Sequence, residues 1–141
     1  MTLRSITVTG KHPYPARVTE FTQTFWDALR ENRFITSSCK ACGEKTFPPK
    51  VTCPRCWSTD QDWEQIDHRG TLYSWTRIHA APAVFQAQAP YAVGVIDLDC
   101  GIRLACSLIS ERDDWECGMR VEMVALKYDD TVQFAAAPIE T

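Results

Sequence analysis

Residues 39–56 read CKACGEKTFPPKVTCPRC and contain two Cys-x-x-Cys pairs separated by ten residues. In each pair, the two intervening residues let the chain turn so that both sulfurs face one point. Two such turns place four thiolates at the corners of a tetrahedron, the geometry that Zn²⁺ adopts at closed structural sites. Gly43 and Pro54 supply the backbone freedom and the rigidity that tight turns use. The spacing therefore predicts a structural zinc site with four ligands: Cys39, Cys42, Cys53 and Cys56.

Two other chemistries use the same residue types. Iron also binds four thiolates, and thioredoxin-like proteins use one Cys-x-x-Cys pair for redox exchange. One pair would suffice for redox, and no strand-helix pattern follows either pair. A catalytic zinc keeps one position open for water, whereas four cysteines fill all four positions. We therefore favour structural zinc over both.

Basic residues crowd this segment, which holds Lys40, Lys45, Lys50 and Arg55 against the single acid Glu44. Zn²⁺ with four thiolates carries a negative formal charge, and these cations would offset it. They would also form a patch that holds the phosphates of a ligand. Both interpretations stay open.

Length and composition are those of an ordinary globular domain. The chain has 141 residues, enough for one compact core and too few for two ordinary domains. Hydrophobic residues make up 45% and charged residues 23%, which argues against a disordered chain. The net charge of -3 argues against a general nucleic-acid binder, because phosphate neutralisation needs a basic face.

The sequence shows no signal-peptide pattern at its N-terminus and no run of about 20 apolar residues that would cross a bilayer. We therefore expect a cytoplasmic protein that does not enter the membrane. A reducing cytosol does not keep disulfides, so the seven cysteines call for another explanation. The zinc site accounts for four of them.

The N-terminal part, residues 1–33, is predicted to be an extended arm followed by an amphipathic helix over about 19–31. Within that range Phe21, Phe25 and Trp26 belong to an aromatic stripe at helical spacing. The stripe is either core or a surface for a partner chain, because a small ribbon offers little against which to bury three large rings.

Residues 34–65 are predicted to form the zinc ribbon, and residues 66–141 a barrel. After about Ile66 the pattern changes to alternating strands separated by turns. Five strands are predicted, over 71–79, 91–98, 102–109, 118–126 and 131–135. Five strands of this kind suggest the small closed barrel of an OB-fold. The expected fold class is mainly β, with a short N-terminal helix, a rubredoxin-like zinc ribbon and a five-stranded OB-fold barrel.

The segment 80–90 reads AAPAVFQAQAP and is unusually apolar, with Phe85 at its tip. An exposed apolar loop usually marks a binding surface. Alternatively, the loop folds back over the barrel.

Catalytic groups are hard to find in the sequence. Catalysis needs an acid, base or nucleophile held against a partner group. Cys106 shares a strand face with apolar residues and is expected in the core. The six glycines are scattered singly, so no phosphate-cradling loop is present. The histidines follow no catalytic pattern and are expected at the surface: His12 in the arm, His68 in a linker and His79 at a strand end. Cys100 and Cys117 are expected in turns, where the alternative to a structural role is a reactive thiol. We expect no catalysis by this chain alone.

A series of short motifs occurs in a fixed order along the chain. The motifs are Phe25-Trp26, 39–43 CKACG, 47–49 FPP, 53–56 CPRC, 70–74 GTLYS, 90–94 PYAVG and 118–121 GMRV. Over residues 20–135 the series resembles the zinc-ribbon plus OB-fold family of acyl-CoA-associated proteins, formerly a domain of unknown function. The resemblance implies the same helix, ribbon and barrel as the spacing does.

The resemblance also implies a function. Members of the family look like auxiliary, non-catalytic subunits in hetero-oligomers with thiolases, hydroxymethylglutaryl-CoA synthases, thiolase-like aldolases or hydratases. They help to bind the CoA part of an acyl-CoA substrate, while the partner supplies the nucleophile. For this chain we therefore expect Zn²⁺ as structural metal, CoA or acyl-CoA as ligand, and a thiolase-type catalytic subunit as partner in an acyltransferase-type reaction.

Two sets of residues are expected to carry that function. CoA has three phosphate groups and an adenine, which call for cations and an aromatic ring. The candidates for CoA are Phe47, Lys50, Arg55, Arg69, Tyr73 and Arg103. The candidates for the partner interface, besides the N-terminal arm, are Phe21, Phe25, Trp26 and Phe85.

The alternative function is that of a single-stranded nucleic-acid binder, because OB barrels and zinc ribbons also serve that role. Tyr73, Trp75 and Tyr91 would stack on bases. The acidic balance of the chain opposes a groove that follows a phosphate backbone. We therefore favour the acyl-CoA function.

Overall fold

The structure is a computed structural model that describes residues 2–14, 16–112 and 114–139. Residue 1 and residues 140–141, at the ends of the predicted arm and barrel, lie outside it. The described residues form one α-helix, one 3₁₀ helix over Ala83–Gln88, and strands in two sheets. The helix α1 is Gln23–Arg30. The strands are β1 Arg4–Thr7, β2 Ile35–Cys39, β3 Lys45–Thr46, β4 Gln61–Gln65, β5 Arg69–Ile78, β6 Tyr91–Leu98, β7 Arg103–Leu108, β8 Arg120–Lys127 and β9 Val132–Pro138.

Strands β5–β9 form a closed barrel. The sheet order is β1-β8-β5-β6-β7-β9, and a further pairing of β8 with β9 closes the ring. The β7–β9 pair is parallel, whereas the other pairs within the ring are antiparallel. All five predicted strands are present, each within three residues of its predicted limits. The expected OB-fold class is therefore confirmed.

Strands β5 and β6 approach closely at Gly70. A Cβ there would lie 2.9 Å from the Cα atom of Leu98 and closer still to the carbonyl oxygen of Asp97. Contacts this short with backbone atoms do not occur for real Cβ atoms, so the close pairing of β5 and β6 favours glycine at this position.

The N-terminal arm differs from the expectation. Residues 4–7 form β1, which pairs in parallel with β8 from Arg4 opposite Val124 to Thr7 opposite Lys127. The arm is thus not simply extended here, because the backbone of these residues adds a strand to the chain's own barrel, while the side chains of Arg4, Ser5 and Thr7 stay exposed. Four residues are too few to show a clear period in the sequence.

The helix is shorter than predicted at both ends. Thr19 and Thr22 exchange hydrogen bonds between backbone N–H and side-chain hydroxyl, at 2.8 and 3.1 Å, and hold a turn before α1. At the other end Asn32 adopts a left-handed φ of 64°, and the N–H of Arg33 donates to the carbonyl of Ala28 at 2.9 Å. This is the pattern of a Schellman cap, in which asparagine replaces the usual glycine.

Helix, ribbon and barrel meet at a cluster of four phenylalanines. Phe25 is 2% exposed, and its ring centroid lies 5.5 Å from that of Phe47 and 6.0 Å from that of Phe134. Phe34 lies 5.3 Å from Phe47. The aromatic stripe of the helix is thus partly core, and the cluster joins the three parts of the chain.

The ribbon is a three-stranded sheet in which β2 lies between β3 and β4. Thr36 and Ser37 of β2 are fully buried but satisfied. The Thr36 hydroxyl donates to the carbonyl of Thr46, and the Ser37 hydroxyl accepts the backbone N–H of Lys50 at 3.0 Å. These bonds hold the segment between the two cysteine pairs against β2.

No helix within the described ranges is long and apolar enough to span a bilayer.

Candidate functional site

Four thiols converge in the ribbon. The Sγ atoms of Cys39, Cys42, Cys53 and Cys56 all lie within 4.8 Å of one another. Cys39 and Cys56 are 3.5 Å apart, as are Cys42 and Cys53. A tetrahedron with Zn–S bonds of 2.3 Å has S–S edges of about 3.8 Å, which these distances bracket. The donor set therefore fits a closed Zn²⁺ site.

The two Cys-x-x-Cys turns have the same backbone structure. The N–H of Gly43 donates to the carbonyl of Cys39 at 2.8 Å, and the N–H of Trp57 donates to the carbonyl of Cys53 at 2.9 Å. Gly43 and Trp57 both adopt a left-handed φ, 81° and 69°. In the first turn glycine takes this conformation without strain, whereas in the second a tryptophan takes it and remains 81% exposed.

Backbone amides inside each turn favour the thiolate form. A hydrogen bond from the backbone of Cys42 lowers the pKa of Cys39 to about 6, although burial opposes the shift. A hydrogen bond from the backbone of Cys56 lowers the pKa of Cys53 in the same way. At Cys42 and Cys56 backbone hydrogen bonds also lower the pKa, but burial and the neighbouring thiols raise it overall. Thiolates are the form that binds zinc, so the turns favour that form at the two buried ligands, Cys39 and Cys53.

Three of the four basic residues in the segment 39–56 form ion pairs with acids of the ribbon. The pairs are Lys40–Asp60 at 3.8 Å, Lys45–Glu64 at 3.2 Å and Arg55–Glu44 at 3.5 Å. Their side chains are exposed, so each pair contributes little to stability. A phosphate approaching this patch would compete with those carboxylates.

The candidates for CoA fall into three places. Phe47 packs into the phenylalanine cluster between helix and barrel, where its ring has aromatic neighbours of its own. Lys50 and Arg55 are exposed on the ribbon. Arg69, Tyr73 and Arg103 lie on the outer face of the barrel.

On the barrel face, Tyr73 and Arg103 are in direct contact. The Arg103 guanidinium lies 3.8 Å from the Tyr73 ring centroid and donates to both carboxylate oxygens of Asp97, at 2.6 and 3.0 Å. One face of the Tyr73 ring is therefore covered, which removes it from the stacking surface that a nucleic-acid base would need. Arg120 is paired similarly with Asp99, at 2.8 and 2.6 Å.

The candidates for the partner interface differ in their exposure to solvent. Phe25 is buried in the chain's own core, so the expectation that it contacts a partner is wrong. Phe21 and Trp26 are half-buried, and the Phe21 ring lies 5.0 Å from that of Trp63. Phe85 is half-buried in the 3₁₀ helix that the sequence did not predict.

The remaining histidines and cysteines do not form a catalytic pair with one another in the described residues. His68 is buried, and burial lowers its pKa, which keeps the ring neutral. Burial raises the pKa of Cys106 to about 12, in agreement with the expected core position. Such a thiol is a poor nucleophile, because the thiolate is the reactive form.

Known proteins share this architecture. Residues 26–62 match the ChsH2 rubredoxin-like zinc ribbon domain, and residues 63–126 match the ChsH2 C-terminal OB-fold domain. The chain belongs to the ChsH2 (DUF35) family. In this family the four-cysteine ribbon is a zinc ribbon, and the zinc site of this chain is intact.

Three family members illustrate its associations. A DUF35 domain-containing scaffold protein of Methanocaldococcus jannaschii is 32% identical over 70% of this chain and 72% of its own length. The benzoylsuccinyl-CoA thiolase subunit BbsA of Thauera aromatica is 32% identical over 60% of this chain, which spans 58% of BbsA. The solved Ltp2-ChsH2(DUF35) aldolase contains a chain with 29% identity and a TM-score of 0.73, over 89% of this chain and 98% of that one. ChsH2-family chains are thus associated with thiolase-type and aldolase partners.

Proposed function

We propose that this chain is a non-catalytic subunit that assembles with a thiolase-type or thiolase-like aldolase subunit and helps to bind the CoA part of an acyl-CoA substrate. The observation that carries the proposal is the likeness to the ChsH2 chain of the Ltp2-ChsH2(DUF35) aldolase, which extends over 98% of that chain. The identity to a benzoylsuccinyl-CoA thiolase subunit supports an acyl-CoA substrate.

The chemistry of the chain agrees with an auxiliary role. The four zinc thiolates fill the coordination sphere, so the metal has no position for a substrate. Zn²⁺ supplies folding free energy there, because the ribbon has too little core to hold itself. The partly buried Cys106 is not activated, since its pKa is raised, and the neutral His68 is in the core. The nucleophile of the reaction then belongs to the partner.

The partner surface is proposed around Phe85 and Trp26. Both side chains are large, aromatic and partly exposed. Val84, next to Phe85, is 50% exposed and extends the apolar surface of the 3₁₀ helix. Interface cores favour aromatic residues and contain few charges. The 3₁₀ helix, with the sequence AVFQAQ, has one aromatic residue and no charged residue.

The CoA phosphates are proposed to bind the cations that face solvent on ribbon and barrel. Lys50 is exposed on the ribbon, and Arg103 is exposed on the barrel beside Tyr73. The partner subunit would complete such a site, because Arg103 is already shared with Asp97. Phe47 is left out of the adenine contact, since its ring packs in the phenylalanine cluster.

Co-purification tests the assembly. The chain is co-expressed with a thiolase-type or aldolase-type subunit from the same organism, and complex formation is measured by size-exclusion chromatography. Phe85→Ala and Trp26→Ala should weaken the complex without unfolding the barrel, whereas Val51→Ala, an exposed ribbon residue, should leave it intact. Survival of the complex in both aromatic variants would place the interface elsewhere.

Calorimetry tests the CoA site on the assembled complex. Lys50→Ala and Arg103→Ala should each weaken CoA binding, because each removes a cation that a phosphate would use. Unchanged affinity in both variants would remove this site. Turnover of acetoacetyl-CoA by the isolated chain would contradict the non-catalytic role.

A further inference from the structure

A pocket opens at one end of the barrel, away from the zinc ligands. Its volume is about 290 Å³, near the lower end of the range for small-molecule sites. Its walls include His12 of the N-terminal arm, Phe85 and Gln88 of the 3₁₀ helix, and Tyr128 and Gln133 of the β8–β9 hairpin. We call this the mouth pocket. It is large enough for one arm of a cofactor and too small for complete coenzyme A.

The arm closes one side of the mouth pocket and is tied down there. The backbone N–H of His12 donates to the carboxylate of Asp130 at 3.2 Å, and the N–H of Asp129 donates to the carbonyl of Gly10 at 2.9 Å. The imidazole lies edge-on to Tyr128, with ring centroids 4.9 Å apart. These contacts fix the wall before any ligand arrives, as in most small-molecule sites.

The opposite wall is formed by the 3₁₀ helix. The Phe85 ring centroid lies 6.3 Å from that of His12 and 6.2 Å from that of Tyr91. Arm, hairpin and 3₁₀ helix thus meet through aromatic contacts around one space. Within the apolar loop predicted from the sequence, the Phe85 ring packs toward the barrel and forms one wall of the pocket, whereas Val84 beside it stays exposed.

The lining selects against charged ligands. Among the described residues that surround the pocket there is no Lys, Arg, Asp or Glu. A phosphate group would be desolvated there without a counter-charge, which is costly. A nucleotide phosphate would therefore find no lysine or arginine in the described lining of the mouth pocket, where His12 is the basic residue.

The lining also differs from that of a purely apolar pocket. Gln88, Gln133 and Ser107 line it, alongside Phe85, Leu108 and Ile109. In the part of the chain that the structure describes, these three polar side chains form no hydrogen bond to another protein group. They are free to exchange hydrogen bonds with amides or hydroxyls of a ligand.

We propose that the mouth pocket binds the uncharged, amide-bearing pantetheine arm of an acyl thioester. This rests on the proposed function and assigns the arm to a place separate from the cations that would hold the phosphates. Pantetheine has two amides, a hydroxyl and a gem-dimethyl group and carries no charge, which matches a lining of amides, a hydroxyl and apolar walls. Gln88, Gln133 and Ser107 bind the amides and hydroxyl, and Phe85 and Leu108 pack on the methyl groups.

Calorimetry on the assembled complex compares three probes: coenzyme A, adenosine 3′,5′-bisphosphate and pantetheine. If the pocket holds the arm, coenzyme A binds about tenfold more tightly than the bisphosphate, because the arm adds one or two net hydrogen bonds and apolar contact. Gln133→Leu and Gln88→Leu should each weaken coenzyme A by roughly fivefold and leave the bisphosphate unchanged.

A control lies on the barrel, outside the 3₁₀ helix. Thr76 of β5 is exposed but does not line the mouth pocket, so Thr76→Leu should keep the affinity for coenzyme A. A blocking variant, Ser107→Phe, fills the space from an exposed strand position and should abolish pantetheine binding. Circular dichroism and zinc content confirm that each variant is folded.

The outcomes separate this proposal from the proposed function. Equal affinities for coenzyme A and the bisphosphate, or an unchanged affinity for coenzyme A in Gln133→Leu, Gln88→Leu and Ser107→Phe, overturn the mouth pocket as the pantetheine site. In that case the phosphate site stands as long as Lys50→Ala and Arg103→Ala weaken coenzyme A. Absence of coenzyme A binding in the assembled complex overturns both.

Discussion

Arg103 lies with its guanidinium 3.8 Å from the ring centroid of Tyr73 while it forms a two-point ion pair with Asp97 on the neighbouring strand. The barrel face is thereby organised without a ligand. The same arrangement lowers the pKa of Asp97, first through the hydrogen bond from Arg103 and also through its charge. A ligand phosphate that recruits Arg103 would have to displace Asp97 or share the guanidinium with it.

The ion pair between Arg103 and Asp97 predicts that the stability of the protein decreases at low pH. The pKa of Asp97 is below its ordinary value in the folded protein, so folding favours the carboxylate. Its contribution to stability is complete above the ordinary pKa and is lost as the pH falls through the lowered value. In Arg103→Ala the carboxyl pKa of Asp97 should return toward its ordinary value in an NMR titration. Arg120→Ala, which breaks the pair with Asp99 instead, should leave Asp97 unchanged.

Removal of one zinc ligand should unfold the ribbon. The four thiolates hold β2 and the two turns together, and three ligands leave the site open to water and exchange. Cys42→Ser is expected to lower zinc content well below one equivalent per chain and to expose the ribbon to proteolysis. Cys117→Ser, an exposed cysteine outside the cluster, should retain one equivalent. Wild-type protein purified without chelator that contains less than half an equivalent of zinc, with iron absent, would contradict the site.

The backbone at Trp57 gives a sharper test of the turn geometry. A left-handed φ of 69° favours glycine over any residue with a Cβ, and the exposed indole recovers little packing. Trp57→Gly is therefore expected to be more stable than Trp57→Ala by about 1 kcal/mol in urea denaturation. Gly43→Ala in the equivalent position of the first turn should lose a similar amount. Equal stability of the two Trp57 variants would show that this turn does not hold its left-handed conformation.

The sequence predicted those parts of the fold that local patterns determine. Cysteine spacing located the zinc ligands, and alternation of apolar residues located the five barrel strands. Neither pattern depends on distant residues. Local patterns do not predict the conformation of Trp57. It occupies the same position in the second turn as Gly43 in the first, as the backbone hydrogen bonds show, but a tryptophan gives no sequence signal for a left-handed φ.

The parts that the sequence missed are those set by distant contacts. Residues 4–7 form a strand by pairing with residues 124–127 of β8, beyond the part of β8 that pairs with β5. The two segments are more than a hundred residues apart in the sequence. The sequence leaves Phe25 open between the core and a partner interface and makes Phe47 a candidate for CoA, whereas Phe134 of the last strand packs against both rings. The mouth pocket likewise joins His12, Phe85 and Gln133, whose proximity no local pattern shows.

Phe47 lies between the two cysteine pairs, and its contacts favour a structural role over a ligand-binding role. Its ring centroid lies 5.2 to 5.5 Å from those of Phe134, Phe34 and Phe25, in edge-on and tilted geometries. Removing a half-buried ring from this cluster leaves a gap that helix, ribbon and barrel share, so Phe47→Ala should lose roughly 2 kcal/mol of unfolding free energy. Phe47→Leu refills much of the space and should lose less than half of that free energy.

Because the Phe47 ring already packs against its aromatic neighbours, the folded Phe47→Leu protein should bind coenzyme A in the assembled complex as tightly as wild type. Tyr73→Ala, at an exposed ring, is the control and should change stability by less than about 1 kcal/mol. A large loss of coenzyme A affinity in Phe47→Leu, with stability unchanged, would restore Phe47 to the ligand site and remove it from the core.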